Sequence, residues 1–211
     1  MRRSQAGGFC GFPRCVSRAV AAMIRVMATI GILIFLSLHA GFFCDARQTS
    51  DQLVVRDRYS NYDYAYSVRL PNGLTGSMPP SPFPNHGFEI QLSDHAILSV
   101  DASYNAAEWN SFKDAINFHL RSFKDEVGGE VSLVGQTRTV LAGLSATRFT
   151  MRSKTSASNQ VREILLAFRK IPGEVGIVYE ISLTTLTSRY DQDKQLVADL
   201  QRTWGLRSLP K

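Results

Sequence analysis

The chain has 211 residues, 44% of them hydrophobic and 20% charged, with a formal net charge of +6. Five arginines and one aspartate fall in residues 1–46, leaving 19 basic and 17 acidic residues, only +2, for the remainder. That balance excludes a strongly basic nucleic-acid-binding domain, and the confinement of Cys10, Cys15 and Cys44 to the same first segment excludes disulfide or thiolate chemistry beyond it.

In chain order, Arg2, Arg3, Arg14, Arg18 and Arg25 precede any acidic residue, and an apolar run from Val26 to Phe43 follows. Positive charge ahead of an apolar stretch is the physical form of an export leader, because the arginines stay on the cytoplasmic side while the apolar helix enters the bilayer. Cys44-Asp45-Ala46 ends the run with small residues suited to a cut after Ala46. The 18-residue run also sits at the lower edge of the roughly 17–25 residues that span a bilayer. Three readings therefore stay open: a cleaved signal, an uncleaved anchor with the domain outside, and a buried core helix. Translation from Met23 would give a compact leader, Met23 to Ala46. Phe42 and Phe43 stand where a lipoprotein signal needs small residues, which argues against lipidation of Cys44. The expected location is outside the cytoplasm, periplasmic or extracellular, with attachment to the inner membrane through residues 26–43 if the leader is retained.

Residues 47–58 are polar and of mixed charge and read as a linker. Residues 59–209 read as a single α+β domain with enough chain for one sizeable core. The first strand is expected at Tyr64–Leu70, ending at the turn sequence Pro71-Asn72-Gly73. Pro71, Pro79, Pro80, Pro82 and Pro84 then crowd residues 71–87, which excludes a helix or an interior strand and leaves a long loop or a PPII-like crossing. A hairpin follows. Phe88, Ile90 and Leu92 alternate with polar residues, as do Ala96, Leu98, Val100 and Ala102. If both sets share a face, Phe88 opposes Val100, Leu92 opposes Ala96, and Ser93-Asp94-His95 is the loop.

A helix is expected after Asn105, with Asn105 as N-cap and Glu108 completing a capping box. Its stripe is Trp109, Phe112, Ile116, Leu120, Phe123 and Val127, and Gly128-Gly129 ends it. Four strands follow at Val131–Val140, Leu144–Arg152, Gln160–Lys170 and Val175–Thr184, with turns at Gly143, Thr155–Asn159 and Pro172-Gly173. A last helix begins near Ser188 or Asp191, turns Leu196, Val197, Leu200 and Trp204 inward, and stops at Gly205. The order is β-β-β-α-β-β-β-β-α, a mostly antiparallel sheet of six to seven strands flanked by helices.

Tyr66-Ser67-Val68-Arg69-Leu70-Pro71-Asn72-Gly73 resembles the opening of PsbP-like domains, an aromatic and a short strand followed by Pro-x-Gly. The central helix, the run of antiparallel strands and the final strand feeding a C-terminal helix are similar as well. The resemblance implies an α/β/α sandwich and a non-catalytic binding or assembly role. It transfers no functional residue, and residues 74–86 depart from its pattern.

Motif chemistry is sparse. No G-x-S-x-G, P-loop, H-E-x-x-H or G-x-G-x-x-G occurs, and neither metal nor cofactor is expected. His119 falls on the helix stripe and reads as a core-edge histidine; His95 reads as a turn residue. Glu89, Asp101, Glu163 and Glu180 sit at strand positions expected to face water. His86 closes the proline-rich loop on the inward side, opposite Ala102 and near Tyr104, and is expected to tie that loop down. Tyr62, Tyr64 and Tyr66 are spaced to form an aromatic strip on one strand face. With Phe83 of the loop, His86 and these tyrosines form the candidate binding set, contacting an envelope protein or a small ligand. The rival reading is an exported hydrolase centred on His86; a third is a membrane-anchored structural protein. Oligomeric state leaves no trace in the sequence.

Overall fold

The structure, a computed structural model, describes residues 53–78, 86–154 and 159–209. The leader, Phe83 and the prolines at 79–84 lie outside the described residues. Among the described residues, eleven strands form two antiparallel sheets. The larger is ordered β1 (Val54–Arg56), β4 (Thr75–Ser77), β5 (Phe88–Ser93), β6 (Ala96–Tyr104), β10 (Ile177–Leu186), β9 (Gln160–Arg169), β8 (Leu144–Lys154) and β7 (Glu130–Leu141). The smaller is ordered β11 (Gly205–Leu206), β3 (Tyr66–Arg69) and β2 (Arg58–Asn61). Helix α1 (Phe112–Val127) covers one face of the large sheet, and the small sheet covers the other together with α2 (Tyr190–Asp193) and α3 (Gln195–Thr203). The strand count exceeds the expected six to seven, and β4 lies inside residues 71–87, expected as a loop without an interior strand: Thr75–Ser77 precede the run of prolines and pair with β1 on one side and β5 on the other. Part of the expected linker is an edge strand, β1, and Tyr59 belongs to β2 and the core.

The register explains how the two layers meet. Across four adjacent strands Ala146, Ala167, Tyr179 and Ala102 stand side by side on one face. Three alanines leave a trough around the single tyrosine. Tyr66 from β3 and Trp204 after α3 fill it, stacked on each other at 4.6 Å and 5° and edge-on to Tyr179 at 5.8 Å each. The Tyr179 hydroxyl donates to the Tyr64 carbonyl at 2.8 Å, so the large sheet also holds the small one by a buried hydrogen bond. Burying rings of this size contributes about 1.5–3 kcal/mol each before entropy is subtracted.

The α1 side is the second core. Ile116 and Phe123 are buried against Phe149, Met151, Ile164 and Leu166, as the stripe predicts. The helix starts later than expected, however. Ser111, not Asn105, is the N-cap: its hydroxyl oxygen accepts from the Asp114 N–H and its hydroxyl donates to the Asp114 carboxylate at 2.8 Å. Asn105 instead folds the preceding loop, pairing its amide with both the N–H and the carbonyl of Trp109 at 3.0 and 2.9 Å. Glu108 has φ +51°, a left-handed value that no helix can carry, so the chain cannot become helical before it. Gly128 closes α1 at φ +62° with its N–H on the Lys124 carbonyl.

In the β5–β6 hairpin Phe88 opposes Val100 as expected, but a bulge between Gln91 and Ser93 shifts the end. Ser93 pairs with Ala96, Leu92 has no partner across the ladder, and the turn is Asp94-His95. The last helical stretch begins at Tyr190 and comes in two pieces, α2 and α3.

Candidate functional site

His86 lies where the chain re-enters the sheet ahead of β5. Its backbone carbonyl accepts from the Ala102 N–H at 3.0 Å and from the Tyr66 hydroxyl at 2.9 Å, and its Nδ1–H donates to the Ala102 carbonyl at 2.9 Å. The imidazole therefore extends the β5–β6 ladder by one side-chain bond. Its ring lies 5.3 Å from that of Tyr64, which meets Tyr104 edge-on at 5.3 Å. The next residue, Gly87, runs so close to β6 that a Cβ there would sit 1.8 Å from the Val100 carbonyl oxygen.

The expected tyrosine strip does not form. Residues 62–65 are a turn with Ala65 at φ +50°, so the period-two argument fails before β3 begins. Tyr64 and Tyr66 are buried in the core, while Tyr62 is 72% exposed with the Arg207 guanidinium 5.1 Å over its ring. Burial pushes the Tyr64 phenol up to about 12 and raises that of Tyr66 further, so neither ionises near neutrality. Tyr62 instead rims an open cleft of about 630 Å³ between β1 and β2, lined by Arg56, Arg58, Tyr59, Asn61, Asp63 and Met78 among others. Exposed Leu53 and Val54 stand beside it.

A second cluster escaped the sequence reading. Glu180 on β10 stands directly opposite Asp101 on β6, on the face that α1 partly covers. His119 reaches down from α1, its Nε2 3.4 Å from Oε2 of Glu180, with the two side chains only 12% and 20% exposed. Trp109, Phe118 and Phe149 surround the imidazole at 5.6–5.8 Å. Burial, then repulsion from Asp101, pushes the Glu180 carboxyl up to about 7, against the pull of Arg162. Burial, then repulsion from Arg162, pushes the His119 imidazole down to about 4. Burial also raises the Asp101 carboxyl, with His86 opposing. Asp101 and Ala102 are adjacent, so the His119 and His86 clusters lie back to back through β6.

Glu163 was likewise expected to face water. It is 3% exposed, accepts from the Tyr190 hydroxyl and lies 3.5 Å from Arg148. Near it, Thr185 donates to Asp193 at 2.6 Å. These contacts pin α2 to the sheet. Among the described residues no group of three His, Cys, Asp or Glu side chains is placed to hold a metal ion. Nor is any described helix long and apolar enough to cross a membrane.

No family model and no curated protein matches the chain. Solved structures do. Cyanobacterial PsbP from Synechocystis sp. PCC 6803 is 16% identical over 77% of this chain and 96% of its own, with a TM-score of 0.52. LpqN of Mycobacterium tuberculosis, involved in cell envelope biogenesis, is 9% identical over 75% and 94%, with a TM-score of 0.44. The Ran-binding protein Mog1p of Saccharomyces cerevisiae is 12% identical over 73% and 96%, with a TM-score of 0.47. The likeness to PsbP is one of fold, and it supports the PsbP-like resemblance noted in the sequence.

Proposed function

We propose that the chain is an exported, non-catalytic binding module that meets an envelope protein at the β1–β2 cleft, with the proline-rich 71–87 segment as part of the same interface. The observation that carries this reading is the composition of the cleft rim. Tyr62 and Val54 line it and are 72% and 59% exposed, Arg56 and Arg58 line the same opening, and Leu53, next to Val54 in the chain, is 61% exposed. Exposed aromatic, aliphatic and arginine side chains around one concavity are what protein interfaces bury. The leader pattern of residues 1–46 supports export.

The hydrolase alternative needs His86 within reach of a carboxylate or hydroxyl that could orient it. Its Nδ1–H is committed to a backbone carbonyl instead. An imidazole used this way is a structural tie, which favours binding over catalysis. The test is capture from an envelope extract by the full chain, compared with the cleft-lining variants Val54→Ser and Tyr62→Ser. A partner retained by the full chain and released by both variants supports the assignment; equal retention by all three rejects it.

A further inference from the structure

We propose that a separate cleft, at the end of the sheet where β9 turns into β10, binds a small aromatic acid: one ring carrying one carboxylate. The cleft holds about 310 Å³, at the lower end of the range for small-molecule sites. Trp109, Phe168 and Ile171 line it. Trp109 and Phe168 are edge-on at 6.5 Å, and all three are only partly buried. An apolar, planar body satisfies that surface, through ring contacts in the offset or edge-on geometries aromatic groups prefer.

The polar part of the lining sets the sign of the ligand. Arg169 and Lys170 face Glu174 as the only opposite charge in the lining, a net of one positive charge matching a monoanion. Arg169 is held by the Tyr179 hydroxyl and the Arg207 carbonyl, which its Nη1 reaches at 3.4 and 3.0 Å. Lys170 and Asn110 are both solvent-exposed, and among the described residues Lys170 makes no ion pair and the Asn110 side chain no hydrogen bond. An ammonium and an amide left in this state beside an aromatic wall suit a carboxylate head.

The wall is also held in place. Both Asn105 amide bonds to Trp109 fix the loop, and the Asn105 N–H donates to the Gly176 carbonyl at 2.8 Å, tying it to the β9–β10 turn. Such preorganisation lowers the ordering cost of binding.

The chain has two tryptophans, and Trp204 is 5% exposed inside the core, so fluorescence can be assigned. The full chain is titrated with phenylacetate while tryptophan emission is followed. A saturable change with a dissociation constant on the order of millimolar is expected for a ligand this small. Trp109→Phe abolishes the change, and Lys170→Ala weakens binding about tenfold through the lost charge-assisted bond. Glu174→Gln strengthens it. Saturation transfer to the ligand ring protons persists in Trp109→Phe, which separates a silent site from an absent one. No saturable change in the native chain overturns the proposal. So does equal binding of phenethylamine, or indifference to Lys170→Ala.

Discussion

His119 and Glu180 meet at 3.4 Å across the α1–sheet interface with opposed proton affinities, the imidazole pushed down to about 4 and the carboxyl up to about 7. The folded state therefore keeps the imidazole neutral and the carboxyl protonated over the acidic range. Glu180 stabilises the fold most below its ordinary value of 4.5, and that contribution is lost as pH rises through about 7. His119 stabilises it most above 6.5, and its contribution is lost as pH falls through about 4. Between 4.5 and 6.5 the two slopes cancel. Glu180→Gln removes one of the two raised carboxyls that oppose the histidine slope, Asp101 being the other, so the stability of the variant relative to the native chain rises between pH 4.5 and 6.5 by up to about 1.4 kcal/mol per pH unit. Denaturant unfolding across that range checks the slope. An imidazole NMR midpoint for His119 above 6 in the native chain contradicts the whole account.

His86 contributes one side-chain hydrogen bond and a ring contact at the base of the 74–85 segment. His86→Ala is expected to cost about 1–2 kcal/mol, because the Ala102 carbonyl loses its donor in a half-buried setting. If His86 anchors that segment over the sheet, proteolysis between residues 78 and 86 accelerates as well. Unchanged melting temperature together with unchanged cleavage rejects the anchoring role. Tyr66→Phe is milder, since the His86 carbonyl keeps its bond from the Ala102 N–H.

What the residues disclosed, and what they hid, follows from how local each signal is. Proline and glycine punctuation placed β7 to β10, and the helix stripe named Ile116 and Phe123, which α1 buries, while Phe112, Leu120 and Val127 are only partly covered. Parity alone paired Phe88 with Val100. The acids on β9 and β10 were misread because alternation shows two faces without showing whether both are covered. Here Glu163 faces α2 and Glu180 faces α1, so neither looks out to water. Asn105 was read as the cap because Glu108 stands three residues on, but Glu108 is left-handed and the helix starts only after Ser111. The small sheet was hidden because β11 is two residues, Gly205–Leu206, paired to β3 across most of the domain. A helix-stopping glycine and a strand-forming one look the same in sequence.

Gly87→Ala should be among the most damaging single-methyl additions in the chain. Its Cβ would overlap the Val100 carbonyl oxygen at 1.8 Å and the carbonyl carbon at 2.7 Å, both backbone atoms that no rotamer can move. Relief requires separating β5 from β6 at the point where Phe88 pairs with Val100. A loss of about 3 kcal/mol or more is expected. Gly143→Ala is the control, with open space around it and φ +86°, and should cost only about 1 kcal/mol. Thermal unfolding of the two variants should separate them clearly.

Tyr190 and Glu163 offer a test of what holds α2. The Tyr190 hydroxyl donates to Glu163, and burial, with that bond, pushes the phenol up to about 12. Tyr190→Phe removes the donor and leaves Glu163, 3% exposed, with Arg148 alone at 3.5 Å. Arg148 also spends a guanidinium nitrogen on Gln201 at 2.6 Å, so it cannot swing fully onto the carboxylate without freeing α3. The expected loss is about 1–3 kcal/mol for an under-paired buried carboxylate. A double variant, Tyr190→Phe with Glu163→Gln, removes the charge that made the first change costly and should recover part of the loss. If the double variant is instead less stable than the single by the full cost of a second independent mutation, the two side chains do not act as a pair and α2 is held by packing alone.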